Sequence, residues 1–135
     1  MKECLFQRIF CEVEFAIANK IILAQFAMLT PYPGTRLYKR LQAEGRLLRD
    51  KWWLLPNQEI LAPHFRPRLM EPEQLRDGWK WAWREFYSIS SIWKRKDLWP
   101  AFHPYLAYLP FNLRQRHFAR HKICAENIRP KSWKV

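Results

Sequence analysis

Glycine is nearly absent from this chain, with Gly34, Gly45 and Gly78 the three it has in 135 residues. That excludes a glycine-rich loop of the kind that cradles phosphates with its backbone. The cysteines, Cys4, Cys11 and Cys124, are odd in number and irregular in spacing. They make no disulfide framework, and a reducing cytoplasmic compartment is the expectation. Carboxylates are sparse and scattered, 12 against 24 Lys and Arg, and no Ser, His and Asp arrangement is present. A self-contained hydrolase is not expected. No run is apolar enough to span a membrane: the longest, Ile21 to Leu29, contains Gln25 and falls short of the roughly 18 residues required. Glu3, Glu12 and Glu14 interrupt any secretory leader.

What is present is apolar and aromatic. Hydrophobic residues make up 49% and aromatics 16%, with eight Trp. This is too apolar for a disordered chain, and the length suits one modest core. The formal charge of +12 favours an acidic partner, whether nucleic acid, an anionic membrane surface or an acidic protein.

Between residues 3 and 19 the spacing of Leu5, Ile9, Val13 and Ile17, broadened by Phe6, Phe10 and Ala16, predicts an amphipathic helix. Asn19 and Lys20 suit its C-terminus. Ile21 to Leu29 then reads as a strand buried on both faces. It stops at "TPYPGT", where Pro31 and Pro33 remove ladder donors and Gly34 supplies turning freedom. Thr35 is a good N-cap for a helix through about Glu44, buried through Leu37, Leu41 and Tyr38, with Gly45 at its C-terminal stop. A rigid strand-to-helix turn of this kind is a frequent ligand site in α/β proteins, and otherwise a stiff connector.

After Gly45 the chain is irregular to Arg68, with one short strand expected near Glu59 to Ala62. Pro72 opens a helix at N1 with Glu73 in its first turn. Its apolar stripe is Leu75, Trp79, Ala82, Phe86, Ile89 and Trp93. Arg76, Lys80 and Arg84 form a cationic stripe beside Trp81 and Trp83, which suits phosphates and stacked bases, a peripheral membrane helix, or a plain wet face over a Trp-filled core. Residues 98–128 begin with Pro100, Pro104 and Pro110 and turn basic after Leu113, the latter part reading as a short helix. His117, His121 and Cys124 fall on one helical face. Without a fourth ligand they read as part of a basic surface rather than a metal site.

The pieces "FAMLTPYPGTRLYKRLQAEGRLL", "DKWWL" and "FRPRLMEPEQLRDGWKWAWREFYSISSIWKR" together resemble the C-terminal portion of radical S-adenosylmethionine (SAM) proteins that carry a cobalamin (B12)-binding domain. The resemblance covers roughly residues 8 to 96. It implies an α/β fragment, the last αβα element of a partial radical SAM barrel (1–48), an irregular connector (49–70), and a mainly α-helical, basic, aromatic-rich tail (71–135). In full-length relatives a [4Fe-4S] cluster cleaves SAM reductively, often with cobalamin present, and the cofactors carry the hard chemistry. By the same resemblance Phe26, Met28, Leu29, Thr30, Pro31, Tyr32, Pro33, Gly34 and Thr35 lie near the SAM adenine. The family's C-x3-C-x2-C cluster motif is missing, so neither catalytic residues nor a metal or cofactor is expected in this chain alone. The chain is expected to be a truncated tail, inactive by itself, acting with a separate cluster-bearing polypeptide. Its lone strand is expected to have two open edges.

Overall fold

The computed structural model describes residues 3–54, 62–96 and 102–123, with the side chains of 3–6, 102–106 and 122 apart. Helix α1 spans Glu3–Ala18. Its inward residues are Val13, Ala16 and Ile17, all buried, which is the stripe the four-residue spacing predicts. Phe10 stays 44% exposed but stacks on Trp81, centroids 5.7 Å apart. The end of α1 differs in detail from expectation. Lys20, not Asn19, takes the left-handed conformation (φ 54°), and its N–H and that of Ile21 bond back to Ile17 O and Ala16 O. Asn19 instead turns its side-chain amide onto Phe15 O at 2.8 Å. The two bonds close a Schellman stop with a lysine where glycine is the easier residue.

Residues 21–31 are in neither helix nor sheet, with a bend at Ile22, and join α1 to α2, Arg36–Ala43. Thr35 caps α2 by accepting from the Tyr38 N–H, and at Gly45 (φ 63°) the helix closes, the Gly45 N–H bonding to Gln42 O and the Arg46 N–H to Leu41 O. The connector carries a 3₁₀ turn, Trp52–Leu54, and one isolated antiparallel bridge between Leu47 and Phe65. The short strand expected at Glu59 to Ala62 lies, except for Ala62, outside the described residues.

Helix α3, Pro72–Phe86, starts as anticipated with Pro72 at N1. Glu71 is a weak cap on its own, but its N–H bonds to the Gln74 side chain at 3.0 Å and the helix start is satisfied from inside. The stripe from Leu75 to Trp93 is not one helix. It breaks at Tyr87, and Ser88 caps a new helix, α4, Ile89–Arg95, by accepting from Ser91 N–H. The apolar spacing runs on across the break, so spacing alone does not register it, while the second helix buries Ser91, Ile92 and Arg95 instead. Ile89 and Trp93 then end up 63% and 68% exposed.

Helix α5, Phe102–Phe118, runs longer than the short helix expected and passes into a π-helical turn, Ala119–Ile123. Pro104 sits in its first turn, where no intrahelical bond is lost. The core is formed by α1, α3 and the π-helical turn: Val13, Ala16, Ile17, Ala82, Trp83, Phe86, Tyr87, Ala119 and Ile123. Burying each large side chain contributes roughly 1.5–3 kcal/mol.

Candidate functional site

The segment Leu23 to Thr30 has a strand's alternation but lies in no sheet among the described residues. Ala24, Phe26, Met28 and Thr30 are half-buried, while Leu23, Gln25, Ala27 and Leu29 are exposed. In extended backbone each residue's N–H and C=O point to one edge, so alternate residues define two edges.

Side chains of the helical layer cap carbonyls on one of those edges. Trp79 Nε1 and Trp83 Nε1 both donate to Phe26 O, at 2.8 and 3.0 Å, and Tyr87 Oη donates to Ala24 O at 2.8 Å. These donors sit four residues apart on α3 and at its end, so one helix face meets carbonyls two residues apart. Met28 O accepts from Thr30 Oγ1 at 3.2 Å, and Pro31 O from Trp52 Nε1 at 2.9 Å. The other edge is different. No hydrogen bond joins the backbone of Leu23, Gln25, Ala27 or Leu29 to any described residue. The two edges therefore differ in their carbonyls, capped on one and not on the other among the described residues.

Arg95 anchors the start of the segment. Only 1% exposed, it uses all five guanidinium N–H groups: Nε to Ser91 Oγ, Nη1 to Ile21 O and Ile22 O, Nη2 to Phe86 O and Asn112 Oδ1, all between 2.7 and 3.2 Å. Its guanidinium carbon also lies 3.7 Å from the Phe86 ring centroid. Burial pushes its pKa down, opposed by Tyr108 and Tyr87, and burial pushes the Tyr87 phenol up against its bond to Ala24. With every donor occupied by protein, Arg95 is a structural tie, not a ligand-binding cation. Sequence reading missed it because "WKR" at a helix end looks like ordinary surface charge.

The turn is a type II turn. Thr35 N–H bonds to Tyr32 O at 3.2 Å, with Pro33 at the second position and Gly34 (φ 83°) at the third. Pro31 is buried, while Tyr32, Pro33, Gly34 and Thr35 are exposed. Trp52 fixes the turn from below, stacked on buried His64 with centroids 4.4 Å apart and edge-on to Tyr32. The "WWL" and turn motifs thus meet in space. Gly34→Ala should cost about 1–2 kcal/mol in urea unfolding, since a Cβ there meets nothing within 4 Å and only the backbone conformation is strained. A neutral result would mean the turn is of another type.

Two cavities flank the segment. A half-open one of about 520 Å³ is lined by Leu23 through Met28 and Thr30, by Trp79, Trp83 and Tyr87, and by Phe111 and Phe118 of α5, Phe118 lying edge-on to Trp83 at 6.1 Å. It is of ordinary small-ligand size. Of the expected adenine neighbours it gathers Phe26, Met28 and Thr30. Leu29 faces a second cavity of about 330 Å³ with Leu37, Leu41, Phe65 and three arginines, Arg40, Arg46 and Arg68. Two of these bridge Glu44, at 2.7 and 3.1 Å. The hydrogen bond from Arg46 holds that carboxyl below its ordinary pKa, partly offset by desolvation.

The segment from Ile21 and its turn lead directly into a region that matches a known domain model. Residues 35–100 match a domain of unknown function, DUF4070. The match covers just under half of the chain and takes in α2, the tryptophan cluster, α3 and α4. The carbonyl-capping donors Trp79, Trp83 and Tyr87, and Arg95, therefore all belong to the DUF4070 region, while the strand they hold precedes it. No curated protein and no solved structure matches the chain.

The remaining candidates scatter. Arg76 is partly buried with Nε 3.9 Å from Asp77, Lys80 is partly buried, and Arg84 is exposed, so the cationic stripe on α3 is not a uniform wet face. The His117 and His121 rings lie 4.3 Å apart, and Cys124 is outside the described residues. Among the described residues no group of three potential metal ligands converges, and no helix is long and apolar enough to cross a membrane.

Proposed function

We propose that this chain is the C-terminal module of a B12-binding radical SAM system, supplying the last strand, the turn and the helical layer behind them. The observation that carries this reading is the DUF4070 match, a domain associated with B12-binding radical SAM proteins, joined to an extended strand and Pro-Gly turn in the family's order. Its fold is then the α/β fragment described above, a barrel end whose remaining strands lie elsewhere. Phe26, Met28 and Thr30 wall one side of the SAM adenine site, and the turn from Pro31 to Thr35 closes its rim. When bound there, SAM, the [4Fe-4S] cluster and cobalamin supply the radical chemistry. This chain's residues shape the pocket and exclude water.

The test is complementation. Anaerobic co-expression with a B12-binding radical SAM enzyme truncated before its own last strand should restore release of 5′-deoxyadenosine. The chain alone, given iron and sulfide, should gain no cluster absorbance. A cluster on this chain alone, or no restored cleavage by a complex that does form, would overturn the reading.

A second reading rests on one specific feature. Between Asp97 and Glu126 the chain has no carboxylate, and Arg114, His117, Arg120 and His121 lie exposed on α5 and its π-helical turn. Such a face fits nucleic acid or an anionic membrane. Retention on RNA, DNA or anionic vesicles that falls steeply with salt supports it, and salt-independent retention rejects it.

A further inference from the structure

Three arginines gather at the smaller cavity, and two local elements put them there. Helix α2 presents Leu37, Arg40 and Leu41 on one face, three and four residues apart. The Leu47–Phe65 bridge lays residues 46–48 beside 64–66, with the Arg66 N–H on Arg46 O at 2.7 Å and the Leu48 N–H on His64 O at 3.0 Å. Arg40, Arg46 and Arg68 thereby share the wall of a cavity of about 330 Å³. Leu41 and Phe65, 2% and 8% exposed, are the most deeply buried of its lining residues. The charges do not balance. No carboxylate lines the cavity, and the nearby Glu44 takes one N–H from Arg46 Nη1 at 2.7 Å and one from Arg68 Nη2 at 3.1 Å. Arg46 is fixed further by Nε on Arg66 O at 2.9 Å, while the Arg40 guanidinium has no partner among the described residues. Three cations against one carboxylate leave a local excess of two positive charges over an apolar floor. Like charges held at a concave, low-dielectric surface focus attraction for an anion.

We infer that this cavity binds a small amphipathic carboxylate, its head on Arg40 and on the N–H groups that Arg46 and Arg68 do not spend on Glu44, its apolar body over Leu41 and Phe65. Size sets the class. At about 30 Å³ per non-hydrogen atom, the share of a water molecule in the liquid, the cavity holds roughly eleven atoms. The lining residues other than the arginines are all apolar, which makes the site costlier for a strongly hydrated phosphate dianion than for a carboxylate. The guanidinium fork matches a carboxylate with two parallel bonds, and Arg46 and Arg68 already engage the carboxylate of Glu44. Glu44 is therefore a competitor built into the chain, holding part of the donor set. The inference is independent of the radical-enzyme reading, whose SAM site is the larger cavity.

The probe is octanoate, which is of that size, with octanol as the body without the charge and acetate as the charge without the body. Titration of the full chain, followed by amide shifts in ¹H–¹⁵N NMR spectra, should give a dissociation constant of about 1 mM or tighter. The shifts should fall at Leu37, Leu41, Phe65 and Leu69. Octanol and acetate should each bind at least about tenfold more weakly, since each lacks one half of the recognition. Arg40→Gln removes a guanidinium that bonds to nothing in the fold, so it should weaken octanoate by about five- to tenfold and leave the urea midpoint little changed. Glu44→Gln should do the opposite and tighten octanoate by about threefold or more, because it returns guanidinium N–H groups to the ligand and removes a repelling charge. Shifts confined to the larger cavity, acetate or octanol matching octanoate, or no saturable shift below about 10 mM would each overturn the inference. So would unchanged affinity in Arg40→Gln, or weaker binding by a Glu44→Gln chain whose urea midpoint is unchanged.

Discussion

Arg95→Met is expected to destabilise the chain by about 3–5 kcal/mol, because it removes one cation and strands several acceptors at once. Phe86 O and Asn112 Oδ1 receive a guanidinium N–H in a buried setting, and Ile21 O and Ile22 O in a part-buried one. A buried acceptor left without its donor costs roughly 1–3 kcal/mol, and the methionine fills the volume without replacing any bond. Arg95→Lys keeps the charge but has three donors on a flexible stem and cannot span both the segment and α5, so a loss of about 2 kcal/mol is expected for it. Urea unfolding followed by tryptophan fluorescence measures both. A methionine variant within about 0.5 kcal/mol of the parent would show that the guanidinium ties nothing together.

Trp83→Ala is the second large effect, also about 3–5 kcal/mol on the scale for aromatic truncation in a core. Trp83 is 7% exposed, stacks on Tyr87 at 5.5 Å and meets Phe26 edge-on at 6.0 Å. Phenylalanine variants separate ring from donor. Trp79→Phe or Trp83→Phe alone leaves Phe26 O one indole N–H, so each should cost only about 1 kcal/mol. Together they leave it none, and the double variant should lose more than the two singles combined. Strict additivity would mean that the two indoles do not share that carbonyl.

How much of this was legible beforehand varies with the range of the interaction. The helix of α1, the Thr35 cap, the Gly34 turn and the Pro72 start depend on residues within four positions of one another, and their chemistry reads directly from sequence. The run from Ile21 to Leu29, which only Gln25 interrupts, reads as a strand in the sequence, and among the described residues it joins no sheet. What escaped is how that run is satisfied. Hydrophobic content suggested burial on both faces, yet Leu23 and Leu29 are exposed, since an apolar run does not specify which side the fold covers. The donors that cap it, Trp79, Trp83, Tyr87 and Arg95, lie 53 to 74 residues away in sequence. In the sequence the first three look like core filler and the fourth like a surface charge. One weak signal was present: Trp and Tyr at steps of four on a core-facing stripe carry N–H and O–H groups that burial obliges to find acceptors. The break at Ser88 was also readable in principle, as a serine before "ISSI", but continuous periodicity masked it.

The account turns on a strand held by helix side chains rather than by a sheet, and isotope-edited infrared spectroscopy addresses that directly. With a ¹³C=¹⁸O label at Phe26 or at Ala27, the Phe26 carbonyl, receiving two indole N–H groups, should absorb at clearly lower frequency than the Ala27 carbonyl. The Phe26 band alone should move up in the double Trp→Phe variant. Coincident bands for the two labels, or a shift at Ala27 in that variant, would contradict it.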